Sequence, residues 1–175
     1  MQLNLYKEQF QQYFNLVAAE QQMKDSVDLI NKKVKRIFFI GNGGSNAICS
    51  HMMEDFAKIG GFPTFSFSDA ALITCFANDY GYEHAMKEWL KLHFTESDLL
   101  IAISSSGESK SILNAVDLAK NLNGHIITLS GFNVNNQLSS KGDINFHIAI
   151  SNYGIVECYH QVILHIILDS LNEYK

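Results

Sequence analysis

The feature that most restricts this chain is an alternation. Short apolar runs rich in β-branched and aromatic residues recur at Arg36–Ile40, Thr64–Phe67, Leu99–Ile103, His125–Leu129 and Ile144–Ile150. Between and after them lie stretches with helical spacing, at Ser45–Ile59, His84–Phe94, Ser109–Asn121, Val134–Ser139 and about 156–173. Strands that alternate with helices pair in parallel, through right-handed crossovers that place helices on both faces of the sheet. The expected fold is therefore α/β: a doubly wound, five-stranded parallel sheet flanked by helices. Ligands of such sheets bind beyond the carboxyl ends of the strands. The strand-to-helix turns are thus the places where chemistry is expected.

One long helix, over about 5–33, is predicted ahead of the first strand. Phe10, Phe14, Val17, Met23, Val27 and Ile30 recur along it at helical spacing. At roughly 1.5 Å per residue it would reach about 43 Å, against about 30 Å for a small domain. Its apolar stripe is expected to pack on another subunit. The last helix is apolar on nearly every side and is expected to be buried all round, again in an oligomer.

The 175 residues fit one domain, with 1–34 as the N-terminal helix and 35–175 as the α/β core. A net charge of −5 and a single arginine, Arg36, leave no basic stripe for nucleic acid. The lysines at 32, 33 and 35 read as a solvated helix end. The first ten residues lack the apolar core of a secretory signal, and no run approaches the ~18 apolar residues of a membrane span. Cys49, Cys75 and Cys158 are odd in number and far apart, so they read as buried reduced thiols of a cytoplasmic protein.

Two turns carry unusual residues. Gly41-Asn42-Gly43-Gly44-Ser45 follows the first strand. Glycines permit a tight turn and close approach of a ligand, and the next helix offers free N–H groups to an anion. The run lacks the third glycine of the dinucleotide fingerprint, so no nucleotide cofactor is expected. Ser104-Ser105-Ser106-Gly107-Glu108-Ser109 follows the third strand. Its hydroxyls, with a helix N-terminus, supply converging donors for a phosphate without any cation. A plain glycine turn and a simple Ser109 cap are the bland alternatives. Two such turns on one sheet favour a shared ligand crevice.

Three further groups hold ionisable residues. His51 and Asp55 lie four apart on one helix face, a spacing that suits a metal, an acid–base pair or a surface ion pair. Asn78-Asp79 falls in Ala77–Gly81, which reads as a loop. The last helix carries Glu157, His160 and His165 among aliphatic residues, where an ionisable group must be paired, neutral or functional.

Taken together, these residues resemble a known family. GNGGS at 41–45, His51 six residues later, ANDYG at 77–81, SSSGES at 104–109, TLSG at 128–131 and the helix bearing His165 are similar to the phosphoheptose (sedoheptulose 7-phosphate) isomerases of the SIS-domain, flavodoxin-like group. The resemblance runs from about 36 to 170. It implies an aldose–ketose isomerase that supplies heptose for surface polysaccharide, built as a homotetramer with active sites between subunits. Asn42, Gly43, Gly44, Ser45, Asn78 and Asp79 would touch the sugar, and Ser104, Ser105, Ser106 and Ser109 would hold the phosphate. Asp55 and His165 would be catalytic, and zinc, where present, would sit on His51, Asp55, Glu157 and His165. Glu157 would also meet the substrate.

Two positions depart from that pattern. The family has glutamate where this chain has Asp55, and glutamine where it has Glu157. A carboxylate one methylene shorter and an added negative charge leave two other readings open. One is an isomerase of a different phosphosugar. The other is a non-catalytic SIS protein that binds a sugar phosphate or a replication-initiator partner. Geometry adds a constraint: Glu157 and His165 are eight residues apart, about 12 Å along a regular helix. A metal–ligand bond is only about 2 Å, so these two are not expected to grip one ion from one regular helix.

Overall fold

The computed structural model describes residues 2–17 and 20–173, without the side chains of Gln2, Tyr13–Val17 and Glu173. Five strands form one sheet: β1 (Arg36–Gly41), β2 (Thr64–Ser66), β3 (Asp98–Ser104), β4 (His125–Gly131) and β5 (Ile144–Ile148). Every pairing is parallel, in the order β2-β1-β3-β4-β5. The expected α/β fold is thus present. The short β2 lies at one edge, and the central strands β1 and β3 are almost wholly buried. Such strands read as continuous apolar runs because both faces are covered.

Two apolar layers do the covering. On one face α3 (Gly44–Lys58), α7 (Tyr153–Glu173) and α2 (Glu20–Lys33) pack against Ile37, Phe39, Leu99, Ile101 and Ile127. On the other, α4 (Ala70–Tyr80), α5 (Tyr82–His93) and α6 (Lys110–Asn121) pack against Phe38, Ile40, Leu100 and Ala102. Alternate residues of one strand feed opposite layers, as a pleated backbone requires.

The region read as one helix over 5–33 contains α1 (Gln2–Val17) and α2, with Ala18 and Ala19 outside the described residues. Met23, Val27 and Ile30 are buried in the chain's own core, and Phe10 stacks on Tyr159 of α7 at 5.0 Å. These four positions are covered by the chain's own core. The Phe14 and Val17 side chains lie outside the described residues. Within this chain the last helix is buried on one face only. Ile155, Val156, Tyr159, Ile163, Leu164, Ile167 and Leu168 form its buried face, while Cys158 and Asp169 are exposed.

Three local readings differ as well. Ala77–Tyr80 is helical, not a loop: it ends α4, which starts where the Asp69 carboxylate accepts the Leu72 N–H and stops at Gly81, φ 79°. Leu72, Ile73 and Phe76 anchor that helix on the second apolar layer. Val134–Ser139 holds only a 3-10 turn, Gln137–Ser140, because the Asn136 side chain accepts the Ser139 N–H and ties the backbone locally. Of the cysteines only Cys49 is buried; Cys75 and Cys158 are exposed, and all three are free thiols. Among the described residues no helix is long and apolar enough to cross a membrane.

Candidate functional site

In this strand order the chain leaves β1 toward opposite edges, by way of β2 and of β3, so the crevice opens between the carboxyl ends of β1 and β3. Both strands end level there, with Gly41 beside Ile103. A cleft of about 360 Å³ occupies that crevice, within the range of small-molecule sites. Asn42, Gly43, Gly44 and Ser45 line it from the first turn, and Ser104, Ser105, Ser106 and Ser109 from the second. Tyr153 and Glu157 close it from α7.

Serine hydroxyls and the Glu157 carboxylate line the cleft, with neither lysine nor arginine among the lining residues. Two helices, α3 and α6, start at its wall, and neither has a side-chain cap. Ser109 sits at the cap position of α6 but leaves the helix N–H groups alone; the Ser104 hydroxyl lies 3.3 Å from its own. Helix N-termini with unsatisfied N–H groups attract negative charge. The Ser105 hydroxyl is buried and has no partner among the described residues. Gly107 makes the serine turn possible. Its φ is 68°, and a Cβ there would run into the Asn136 side chain.

Asn42 is held at both ends. Its amide nitrogen donates to Ser111 Oγ at 3.0 Å, and its oxygen accepts the Tyr82 hydroxyl at 2.7 Å. Tyr82 was not singled out in the sequence, because a contact across forty residues leaves no local pattern. Glu157 packs its carboxylate directly on Gly44, where any side chain would collide with it.

A second constellation lies farther along the same two helices. His51 and Asp55 on α3 meet His165 on α7. His51 Nε2 is 3.1 Å from Asp55 Oδ2, and His165 Nδ1 is 3.9 Å from the same oxygen. The two imidazoles meet edge to face at 5.4 Å. The side chains are 53%, 18% and 39% exposed respectively, so the cluster opens to the surface. One ligand atom from each residue lies within 4.8 Å of the others. Two imidazoles and a carboxylate suit a divalent ion such as zinc, which takes three protein ligands and an open position at catalytic sites. The same set can also move protons.

Not every expected residue joins these groups. Glu157 is not in the three-residue cluster; it lines the cleft, as the eight-residue spacing requires. Asn78 and Asp79 are exposed at the end of α4, bonded to each other at 2.9 Å and outside the cleft lining. Cleft and cluster are nevertheless linked. Gly44, Ile48, His51 and Asp55 descend α3 at intervals of three or four, and Tyr153, Glu157, Gln161 and His165 descend α7 the same way. Glu157 borders both the cleft and a groove lined by Ile48, Cys158 and Gln161, which leads toward His165.

The chain is similar to known proteins in sequence and in fold. The SIS domain family matches residues 71–157. A phosphoheptose isomerase of Fusobacterium nucleatum is 31% identical over 180 aligned residues, covering 97% of this chain and 92% of that protein. The solved structure of a phosphoheptose isomerase from Neisseria gonorrhoeae superposes with a TM-score of 0.86 at 20% identity, over 97% of this chain and 94% of that one. One from Francisella tularensis gives 0.82 at 25% identity, over 98% and 97%.

Proposed function

The chain belongs to the phosphoheptose isomerase family, and from that premise we propose that it interconverts sedoheptulose 7-phosphate and D-glycero-D-manno-heptose 7-phosphate. The observation that carries this reading is the cation-free cleft, with two uncapped helix N-termini and converging serine hydroxyls, at one end of the α3–α7 seam that bears Asp55 and His165 at the other. Phosphate binds at the serine turn, to Ser104, Ser105, Ser106 and Ser109 and the N–H groups of α6. Asn42, Gly43, Gly44, Ser45 and Glu157 contact the sugar. Glu157 and His165 are separated by about 12 Å of helix, a span that favours a long sugar chain.

The reaction moves a carbonyl from C2 to C1. One member of the Asp55–His165 pair takes a proton from C1 of the ketose while the other protonates the C2 oxygen, giving an enediol. The C1 hydroxyl proton then leaves and C2 is protonated, giving the aldose. The phosphate grip holds C1 and C2 against that pair, which converts binding into orientation. His51, Asp55 and His165 would hold zinc, which when bound would polarise the sugar carbonyl. The protein acts in the cytoplasm as a homotetramer, supplying heptose for surface polysaccharide. Asn78 and Asp79, exposed on α4, meet a neighbouring subunit's site in that assembly.

Sedoheptulose 7-phosphate incubated with the protein in D₂O, with and without zinc, tests this by proton NMR. The expected product is the aldose carrying deuterium at C2. His165→Asn should lower turnover by at least about a hundredfold while leaving the fold intact. Absence of turnover in both conditions, or full activity in that variant, would overturn the assignment.

A further inference from the structure

His165 is bonded to its own helix one turn back. The Gln161 side-chain nitrogen lies 3.0 Å from His165 Nε2 and 2.8 Å from Met52 Sδ. A thioether sulfur has no hydrogen to give, so the end of the amide that faces it must be the donor end. The two N–H bonds of that nitrogen then have two acceptors, the Met52 sulfur and His165 Nε2. A neutral imidazole nitrogen that accepts carries no proton. The ring proton is therefore on Nδ1, the nitrogen that faces Asp55 Oδ2 at 3.9 Å.

We propose that Gln161, oriented by Met52, is a positioning residue that selects the Nδ1–H tautomer of His165 and so presents a proton, rather than a lone pair, toward Asp55. The inference rests on reading His165 as one of the isomerising pair. It bears on both chemistries open to the cluster. For proton transfer, it makes the nitrogen beside Asp55 the donating one. For metal binding through Nδ1, the proton must leave or move to Nε2, where the Gln161 oxygen would have to accept it. The partner of a ligand's second nitrogen commonly governs metal affinity in this way. Met52 is fully buried, so its sulfur is a fixed acceptor.

Metal-free protein labelled with ¹⁵N-histidine, studied at alkaline pH where the ring is neutral, reports the tautomer through long-range ¹H–¹⁵N spectra. The wild-type protein should show His165 Nε2 unprotonated and Nδ1 protonated. Gln161→Glu can only accept a hydrogen bond at that pH and should move the proton to Nε2. Gln161→Leu offers neither donor nor acceptor and should give a mixture. Zinc titrated into the metal-free proteins should bind Gln161→Glu about tenfold or more tightly than Gln161→Leu. A wild-type ring protonated on Nε2, or one tautomer common to all three proteins, overturns the inference. Turnover of sedoheptulose 7-phosphate by the wild-type protein is measured separately. Turnover with the wrong tautomer refutes only the role of Gln161, and the expected tautomer without turnover refutes only the proposed reaction.

Discussion

Ser105 states the case for a bound anion most sharply. Its hydroxyl lines the cleft, is buried, and finds no partner among the described residues. An unsatisfied buried polar group costs about 1–3 kcal/mol, and a substrate phosphate would relieve it. Ser105→Ala should therefore melt at the same temperature as the wild type or slightly higher. Its affinity for the sugar phosphate, measured by calorimetry, should fall about tenfold, the worth of one hydrogen bond to a charged group. A variant that melts several degrees lower and binds normally would show that the hydroxyl serves the fold instead. The serines were legible because they are contiguous and sit in a turn whose place follows from the strand pattern. Tyr82 and Gln161 were not. Their partners, Asn42 and Met52, lie far away in the chain, and only the packed helices bring them together.

At the scale of elements, the chain's only arginine does its work at the opposite end of the central strands. Arg36 begins β1 and grips Asp98, which begins β3, through two bonds of 2.8 and 2.6 Å. A third bond reaches the His93 carbonyl. Burial alone would raise the Asp98 carboxyl, but the bonds from Arg36 and Thr95 outweigh it and hold it below the usual carboxylate range. Arg36→Ala would leave that carboxylate buried and half-paired, a loss of about 3–5 kcal/mol. Urea unfolding should show that loss, with KM for the folded enzyme unchanged, since the cleft lies at the other ends of these strands. A changed KM at unchanged stability would contradict this. The strands themselves were legible from their apolar runs, because buried parallel strands admit little else. The helix α4 was not, because Asn78-Asp79 carries the composition of a turn and the deciding residues are Asp69 at its start and Gly81 at its end.

Over the whole molecule, a second buried polar group sets the response to acid. His160 is fully buried; its Nε2 lies 3.1 Å from the Ser130 carbonyl, and its Nδ1 has no partner among the described residues. Burial pushes its pKa down to about 4, with nearby His147 adding to the effect, although the Ser130 bond opposes it. His147 is lowered by burial too. Below about pH 6.5 the unfolded chain takes up a proton at His160 that the folded protein refuses, so stability falls until the folded pKa is reached. Between pH 7 and pH 5 His160 alone should remove about 2 kcal/mol. Urea midpoints across that range should drop for the wild type and much less for His160→Phe; equal slopes would contradict the assignment. In the proposed reaction the sheet, the two uncapped helices and the α3–α7 seam cooperate on one ligand. A crystal structure of His165→Asn with sedoheptulose 7-phosphate tests it most directly. The phosphate should lie among Ser104, Ser105, Ser106 and Ser109, with the first two sugar carbons beside Asp55. A phosphate bound elsewhere, or sugar carbons turned away from Asp55 in every subunit, would contradict it.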